Sequence, residues 1–411
     1  MQKKRSQISS NKIRLLDNLD WDCQDHLHHK TSLNIIHWYP ASFITSIPSN
    51  IIDVFTQPGD KIWDPFCGCG TTALESYRKG RRFYGNDICE IGVLITNAKL
   101  SIIEHRDIVD KSFTNLLILL DNYGSFPPTG KKNLDLFSID HDVDKINLGK
   151  SLCNYNALKS WYSENTLKQL LLLRGLLESY SRDPQLRDFY LVVFLSVAKL
   201  ASAQQKTWGH IADNVKPTND QILRNNYDVF QSFNKKLLKI KEHINRILVF
   251  STNGSYNMKL SDSRTYVPPD GPVDIVITSP PYPSMADYVT SQRLDYYWLG
   301  YTAEDINIFK KKEIGPRYLR HNSSRNEMYL ENMKACFSNI INNIKSDGLL
   351  VLVFPEFNDK DTRKMAIEVL FEYVSSLTKM EYSTCRNIDE NYRWAPFKKL
   401  AKESLSIWRK N

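Results

Sequence analysis

The run Asp64-Pro65-Phe66-Cys67-Gly68-Cys69-Gly70-Thr71-Thr72 constrains this chain more than any other segment. Lys61 to Trp63 lead into it as a strand-like stretch, its glycines stop that stretch, and Thr71 to Arg78 reads as a helix. Glycines between a strand and a helix let the backbone approach a ligand without Cβ clashes, and the helix start offers free N–H groups. Next come a short β-rich stretch, Phe83 to Gly85, then Asp87, then a second helical stretch from Ile91 to Leu100. Asp87 stands 23 residues after Asp64, a spacing that suits a carboxylate for ribose hydroxyls. Strand, loop, helix, strand, helix is the opening of an α/β doubly wound, mostly parallel sheet. The loop is neither G-x-G-x-x-G nor Gly-Lys-Ser/Thr, so an adenosine-type ligand is expected rather than a dinucleotide; a turn without ligand is the alternative. Cys67 and Cys69, one residue apart with no second pair, make a poor zinc site, and no metal is expected.

The remaining chain has two textures. Residues 105–250 look mostly helical, with apolar residues at helical spacing in 158–180, 188–204 and 221–248. Such a region either packs against the core or carries substrate selectivity. Residues 251–411 return to alternation: strands at 273–278, 349–354 (after a turn at Ser346-Asp347-Gly348) and 404–408, with helices at 326–345 and 361–377.

Thr278-Ser279-Pro280-Pro281-Tyr282 follows the strand 273–278 directly. Two prolines end a central strand in a rigid turn, at the strand end where open α/β sheets bind ligands. The turn offers a hydroxyl, proline carbonyls and one aromatic face, which suit a planar group bearing an amine donor. A Pro-Pro turn that merely caps the strand is the alternative.

The chain has 411 residues, with 42% hydrophobic and 24% charged, ordinary for a globular protein. Lys plus Arg number 54 against 46 acids, a net charge of +8 that permits a polyanionic partner without requiring one. Seven scattered cysteines do not form a disulfide framework, and the N-terminus lacks the apolar segment of a signal peptide. The most apolar run, 189–203, is too short for a bilayer and contains Lys199. A soluble, cytoplasmic protein with no membrane partner is expected.

Taken together, DPFCGCGTT, Asn86-Asp87-Ile88 and TSPPY resemble the S-adenosylmethionine-dependent DNA amino-methyltransferases, which act on cytosine N4 or adenine N6. The resemblance spans residues 33–104 and 255–411. The segment from Ile36 to Phe43 looks like the family's motif X, Asp262-Ser263 like its motif III after a third strand, and 403–410 like its closing strand. Segments Asp287-Tyr288 and Tyr297 to Gly300 are similar to ones found after the turn in one branch of the family.

This resemblance implies a Rossmann-like methyltransferase sheet carrying a large helical insertion, with S-adenosylmethionine as cofactor. It divides the chain into an N-terminal tail (1–32), a cofactor half (33–104), a helical target-recognition insertion (105–250) and a catalytic half (251–411). It assigns His37, Tyr39, Pro40, Ser42, Asp64, Pro65, Phe66, Gly68, Gly70, Thr71, Thr72, Asp87, Ile88, Asp262 and Ser263 to the cofactor. Ser279, Pro280, Pro281 and Tyr282 fall to catalysis on a flipped base in double-stranded DNA. Cys69 stands where the family commonly has Ser, and Ser279 where most adenine-N6 enzymes have Asp or Asn. The second departure favours cytosine N4. The glycine loop precedes the turn by 215 residues, which resembles the family's alpha arrangement. A cognate restriction endonuclease is a further implied partner. The basic stretch with Lys310, Lys311, Lys312, Arg317, Arg320 and Arg325 either clamps phosphates or is a solvated loop. The competing readings are an RNA guanine-N2 methyltransferase and a non-catalytic nucleic-acid-binding protein. His26, His28 and His29 read as a polar segment rather than a metal site.

Overall fold

The computed structural model describes residues 8–22, 33–40, 44–123, 154–180, 184–204, 215–247, 253–357, 362–387 and 402–411. Ser42 and the histidines 26, 28 and 29 lie outside these.

Seven strands form one sheet: β1 (Lys61–Asp64), β2 (Arg82–Asp87), β3 (Ser255–Leu260), β4 (Val273–Thr278), β5 (Ile344–Pro355), β6 (Thr378–Asn387) and β7 (Lys402–Lys410). Their spatial order is β3-β2-β1-β4-β5-β7-β6. The first five are parallel, and β7 runs antiparallel between β5 and β6. The chain winds outward from β1 to β3, then crosses back to β4 on the other side of β1. The order therefore reverses between β1 and β4, and the crevice beyond their carboxyl ends is the favoured ligand position.

Alternation along the strands sends neighbours to opposite faces. Ile62, Ile275, Ile277, Val351 and Ile407 pack on one face with Ile47, Ile51 and Ile52 of the helix Ser46–Phe55. Trp63, Val276, Leu350, Leu352 and Trp408 pack on the other, against the helices Arg325–Asn342 and Thr362–Leu377. The helical region builds a third cluster, which it shares with the helix Glu90–Glu104 and with Leu294, Tyr296 and Trp298. It is thus fused to the sheet unit through a common core.

Several expectations shift. The stretch 158–180 is two helices, Tyr155–Leu158 and Glu164–Ser179, because Ser163 caps the second by accepting from the Thr166 N–H. Asp228 similarly restarts the helix in 221–248, giving Asn219–Arg224 and Val229–Arg246. The expected tail contains the helix Ser10–Asp17, which anchors itself through buried Leu16 and Trp21. The turn at 346–348 is an irregularity inside β5: Ile344 pairs with Val273 and Leu349 with Ile275, and Asp347 adopts φ 65°. No helix among the described residues is long and apolar enough to cross a membrane.

Candidate active site

Gly68 and Gly70 hold positive φ of 51° and 79° as the chain leaves β1. A Cβ on Gly68 would meet the Tyr39 ring at 3.3 Å, and one on Gly70 would overlap Thr96 at 2.6 Å. Side chains at these positions would therefore be strained and crowded. The loop is then pinned from beneath. Thr96 donates to the Gly68 carbonyl (3.1 Å), and Lys99, almost fully buried, donates to the Cys69 carbonyl (2.6 Å) and to Asn34 (2.7 Å).

The carboxyl ends of the strands are cross-linked by polar side chains. Asp64 Oδ1 accepts from Thr278 Oγ1 at 2.6 Å and from the Phe66 N–H at 3.2 Å. Burial pushes the Asp64 carboxyl up to about 6, an effect that the Thr278 bond only partly offsets. Asp87 accepts from the N–H groups of Gly68 and Cys89, both at 2.8 Å, and burial raises its carboxyl as well. Each of its oxygens keeps a lone pair for a ligand. Fully buried Asn86 accepts from Trp63 Nε1 (2.9 Å) and donates to Pro65, Ser261 and Ser263. Ser263 in turn donates to the Pro65 carbonyl. At Asp262, burial acts to raise the carboxyl, but the hydrogen bonds from Arg264 (Nε 3.0 Å) win and lower it.

The turn after β4 is held by a polar chain. Ser279 Oγ donates to the Tyr282 hydroxyl (3.0 Å), which donates to Glu403 Oε1 (3.0 Å) on β7. Glu403 pairs with Arg386 on β6 (2.7 Å). Burial, then the Glu403 charge, raises the Tyr282 phenol well above its usual range, so it stays a donor. Its ring lies roughly parallel to Phe354, with centroids 6.3 Å apart. Tyr329 donates to the Pro281 carbonyl at 3.1 Å.

Residues 313–318 strap across this turn. The N–H of Ser284 donates to the Gly315 carbonyl (2.8 Å), Arg317 to Ala286 (3.1 Å), Tyr318 to Asp287 Oδ1 (2.9 Å) and Val289 to Glu313 Oε1 (2.6 Å).

Loop, turn and strap enclose one cavity. Its lining includes Tyr39, Asp64, Pro65, Phe66, Gly68, Thr71, Thr72, Asp87, Ile88, Asp262, Ser263, Ser279 and Pro281, all expected from the sequence. It also includes Cys67, Cys89, Tyr288, Val289, Lys312, Glu313 and Ile314. Tyr39 and Tyr288 stack on its wall with centroids 6.1 Å apart. His37, Pro40, Gly70, Pro280 and Tyr282 do not line it. His37 is buried between the Trp38 carbonyl (2.6 Å) and Asp295 (3.2 Å), so it fastens the segment 33–40 to the helix Arg293–Trp298. Gly70 shapes the helix start beneath the loop. Of the basic stretch, Lys312 faces Asp262 in the cavity. Lys311 and Arg320 are exposed just before and just after the strap, and Lys310 and Arg317 are half-buried. Arg325 borders a smaller pocket behind the turn. The sequence gives no separate role to Asn86, Lys99, Glu313, Arg386 or Glu403. A lone acid within Lys310-Lys311-Lys312-Glu313 is a signal for Glu313; the others become visible only when distant strands meet.

A glycine loop after β1, a carboxylate ending β2 and an antiparallel β7 inserted before β6 give the chain a Rossmann-like sheet of the methyltransferase type. Residues 1–96 match the DNA methylase family of N6 and N4 methyltransferases. The Type II methyltransferase M.BsoBI of Geobacillus stearothermophilus is 25% identical over 307 residues, covering 68% of this chain and 56% of the relative. M.MvaI of Kocuria varians is 23% identical over 297 residues, covering 66% and 58%. M.MjaII of Methanocaldococcus jannaschii is 22% identical, covering 83% and 76%. The chain thus spans little more than half the length of the first two relatives. Through residues 1–96 and these relatives the chain resembles the DNA amino-methyltransferases, whose cofactor is S-adenosylmethionine. The cavity fits that group: an open glycine cradle, aromatic walls, and carboxyl groups with unused acceptor capacity suit adenosine carrying a positively charged amino-acid tail.

Proposed function

We propose that this chain is a DNA methyltransferase acting on an exocyclic amine, cytosine N4, of a base rotated out of the duplex. The carrying observation is the chain Arg386–Glu403–Tyr282–Ser279. Glu403 takes the tyrosine proton, the tyrosine oxygen takes the serine proton, and the serine oxygen is left with only lone pairs to offer. It is turned into an acceptor for an amine N–H.

An exocyclic amine is a poor nucleophile while its lone pair is delocalised into the ring. Hydrogen bonds from that amine to Ser279 Oγ and to the Pro280 carbonyl favour a pyramidal nitrogen with a localised lone pair. Tyr329 occupies the Pro281 carbonyl, which leaves Pro280 for this role. When bound, the cofactor supplies an electrophilic methyl group. Phe66, Gly68 and the loop hold it, Asp87 takes its ribose hydroxyls, and Asp262 and Ser263 border its adenine. The work of the residues is positioning and fixed dipoles. Tyr282 serves as the platform for the flipped base with the face turned away from Phe354.

Ser279 in place of Asp or Asn supports N4 over N6, with adenine N6 as the second reading. The region 105–250 is the proposed target-recognition part. Its shared core with the sheet supports a fixed position relative to the cavity. The Type II naming of the relatives supports a restriction-modification setting with a cognate endonuclease. Sequencing of modified bases in DNA from cells expressing the chain tests the reading. Site-specific N4-methylcytosine is expected, and adenine modification would replace N4 with N6.

A further inference from the structure

Glu313 lines the cavity from the strap. One oxygen, Oε1, accepts from the Val289 N–H at 2.6 Å. The other, Oε2, is sealed from solvent and has no partner among the described residues. A buried carboxyl oxygen without a partner costs free energy, so such a group stands out in a well-packed fold. The side chain borders the cofactor cavity and the smaller pocket behind the turn. The charged and titratable groups around it come from every neighbouring element: Asp87 at the end of β2, Asp287 and Tyr288 at the turn, Tyr296 on the helix Arg293–Trp298, Lys310 before the strap and Tyr318 within it. Burial first, then the Asp287 and Asp87 charges, push its carboxyl up to about 8; the Val289 bond and Lys310 pull the other way. With Asp64 and Asp87, three carboxyls lining one cavity are held above their ordinary range. A cavity whose buried carboxyls are all raised is matched to a cation. A neutral heterocycle gives none of them a reason to ionise.

We propose that Glu313 Oε2 is the counter-charge for the cationic portion of the bound cofactor. This rests on the reading of the cavity as the S-adenosylmethionine site. On binding, the carboxyl releases its proton to solvent and the carboxylate faces the positive centre, while Oε1 keeps the Val289 bond. Two centres can supply the charge, the sulfonium and the α-ammonium.

The test is calorimetric titration of three probes into the wild-type chain and Glu313→Gln. S-adenosylmethionine carries both cations, S-adenosylhomocysteine the ammonium alone, and 5′-methylthioadenosine neither. Gln keeps an acceptor for Val289 and resembles the protonated acid, so the empty variant should melt at or above the wild-type temperature. The variant should bind S-adenosylmethionine about tenfold or more weakly and 5′-methylthioadenosine unchanged. Weakened S-adenosylhomocysteine binding identifies the ammonium; unchanged binding identifies the sulfonium. Equal loss for all three probes, or no loss for S-adenosylmethionine, overturns the proposal. Failure of the wild-type chain to bind any of the three overturns the cavity reading itself.

Discussion

Thr278 Oγ1 donates to Asp64 Oδ1 across 2.6 Å, joining the last residue of β4 to the last residue of β1. The strand that opens into the glycine loop and the strand that opens into the Ser-Pro-Pro-Tyr turn are thereby locked at the point where the sheet order reverses. Thr278→Val keeps the shape and deletes the donor, leaving a buried carboxyl oxygen with less support. The expected cost is about 1–3 kcal/mol in denaturant unfolding, with weaker S-adenosylmethionine binding. An unchanged midpoint and affinity would mean that the bond couples nothing.

The same carboxyl gives a pH signature. Asp64 in the folded chain holds its proton up to about 6, above the ordinary aspartate value. Protonation therefore favours the folded state, fully at pH below the unfolded value. That advantage is lost as pH rises through about 6. Thermal melts of wild type and Asp64→Asn should diverge across this window and run parallel above it. For Glu313, raised to about 8, the wild-type loss should extend to that pH and vanish in Glu313→Gln.

Tyr282→Phe and Glu403→Gln both disturb the chain that turns Ser279 into an acceptor. Each should lower the single-turnover rate of methyl transfer by about ten- to a thousandfold, and S-adenosylmethionine affinity should hold within about twofold. Ser279→Ala should act in the same way. Matching losses of rate and affinity would return these residues to a purely structural role.

Lys99 is nearly buried, and it donates to two neutral groups, the Cys69 carbonyl and Asn34. Lys99→Met removes a buried charge and frees the glycine loop. Protein stability should change little, because the charge carries its own burial cost. Cofactor affinity should fall several-fold, as read by fluorescence or calorimetric titration.

The cysteines beside the cofactor cavity should be inert. Burial raises the Cys67 thiol well above its usual value and pushes Cys89 up to about 12, so neither is a thiolate near neutral pH. Mass spectrometry after iodoacetamide treatment of the folded chain should find both unmodified, and methyl transfer should survive the treatment. Labelling of Cys67 with loss of transfer would contradict this and point to a covalent role.

The loop, the Ser-Pro-Pro-Tyr turn and the parallel strands β1, β2, β4 and β5 were legible because each is local. Gly68 and Gly70 sit between a strand and a helix, and Val273 to Thr278 is a continuous apolar run ended by two prolines. The helix breaks at Ser163 and Asp228 were not, since a polar cap inside an apolar period reads as part of one long helix. The strand β6 hides for another reason. Most of its residues are exposed or half-buried at the sheet edge, so Thr378–Asn387 lacks an apolar signature. Within the site, Asp87 and Ser279 announce themselves by spacing. Glu403 and Arg386 become relevant only because β7 returns antiparallel and brings residue 403 beside residue 282.

Methyl transfer to an exocyclic amine is tested most directly by incubating the purified chain with S-adenosylmethionine carrying an isotopically labelled methyl group and duplex DNA of varied sequence. Nucleoside mass spectrometry then reads where the label goes. Labelled N4-methylcytosine, lost in Ser279→Ala, is expected. Label in N6-methyladenine, or label accepted by transfer RNA with none in DNA, would contradict this expectation.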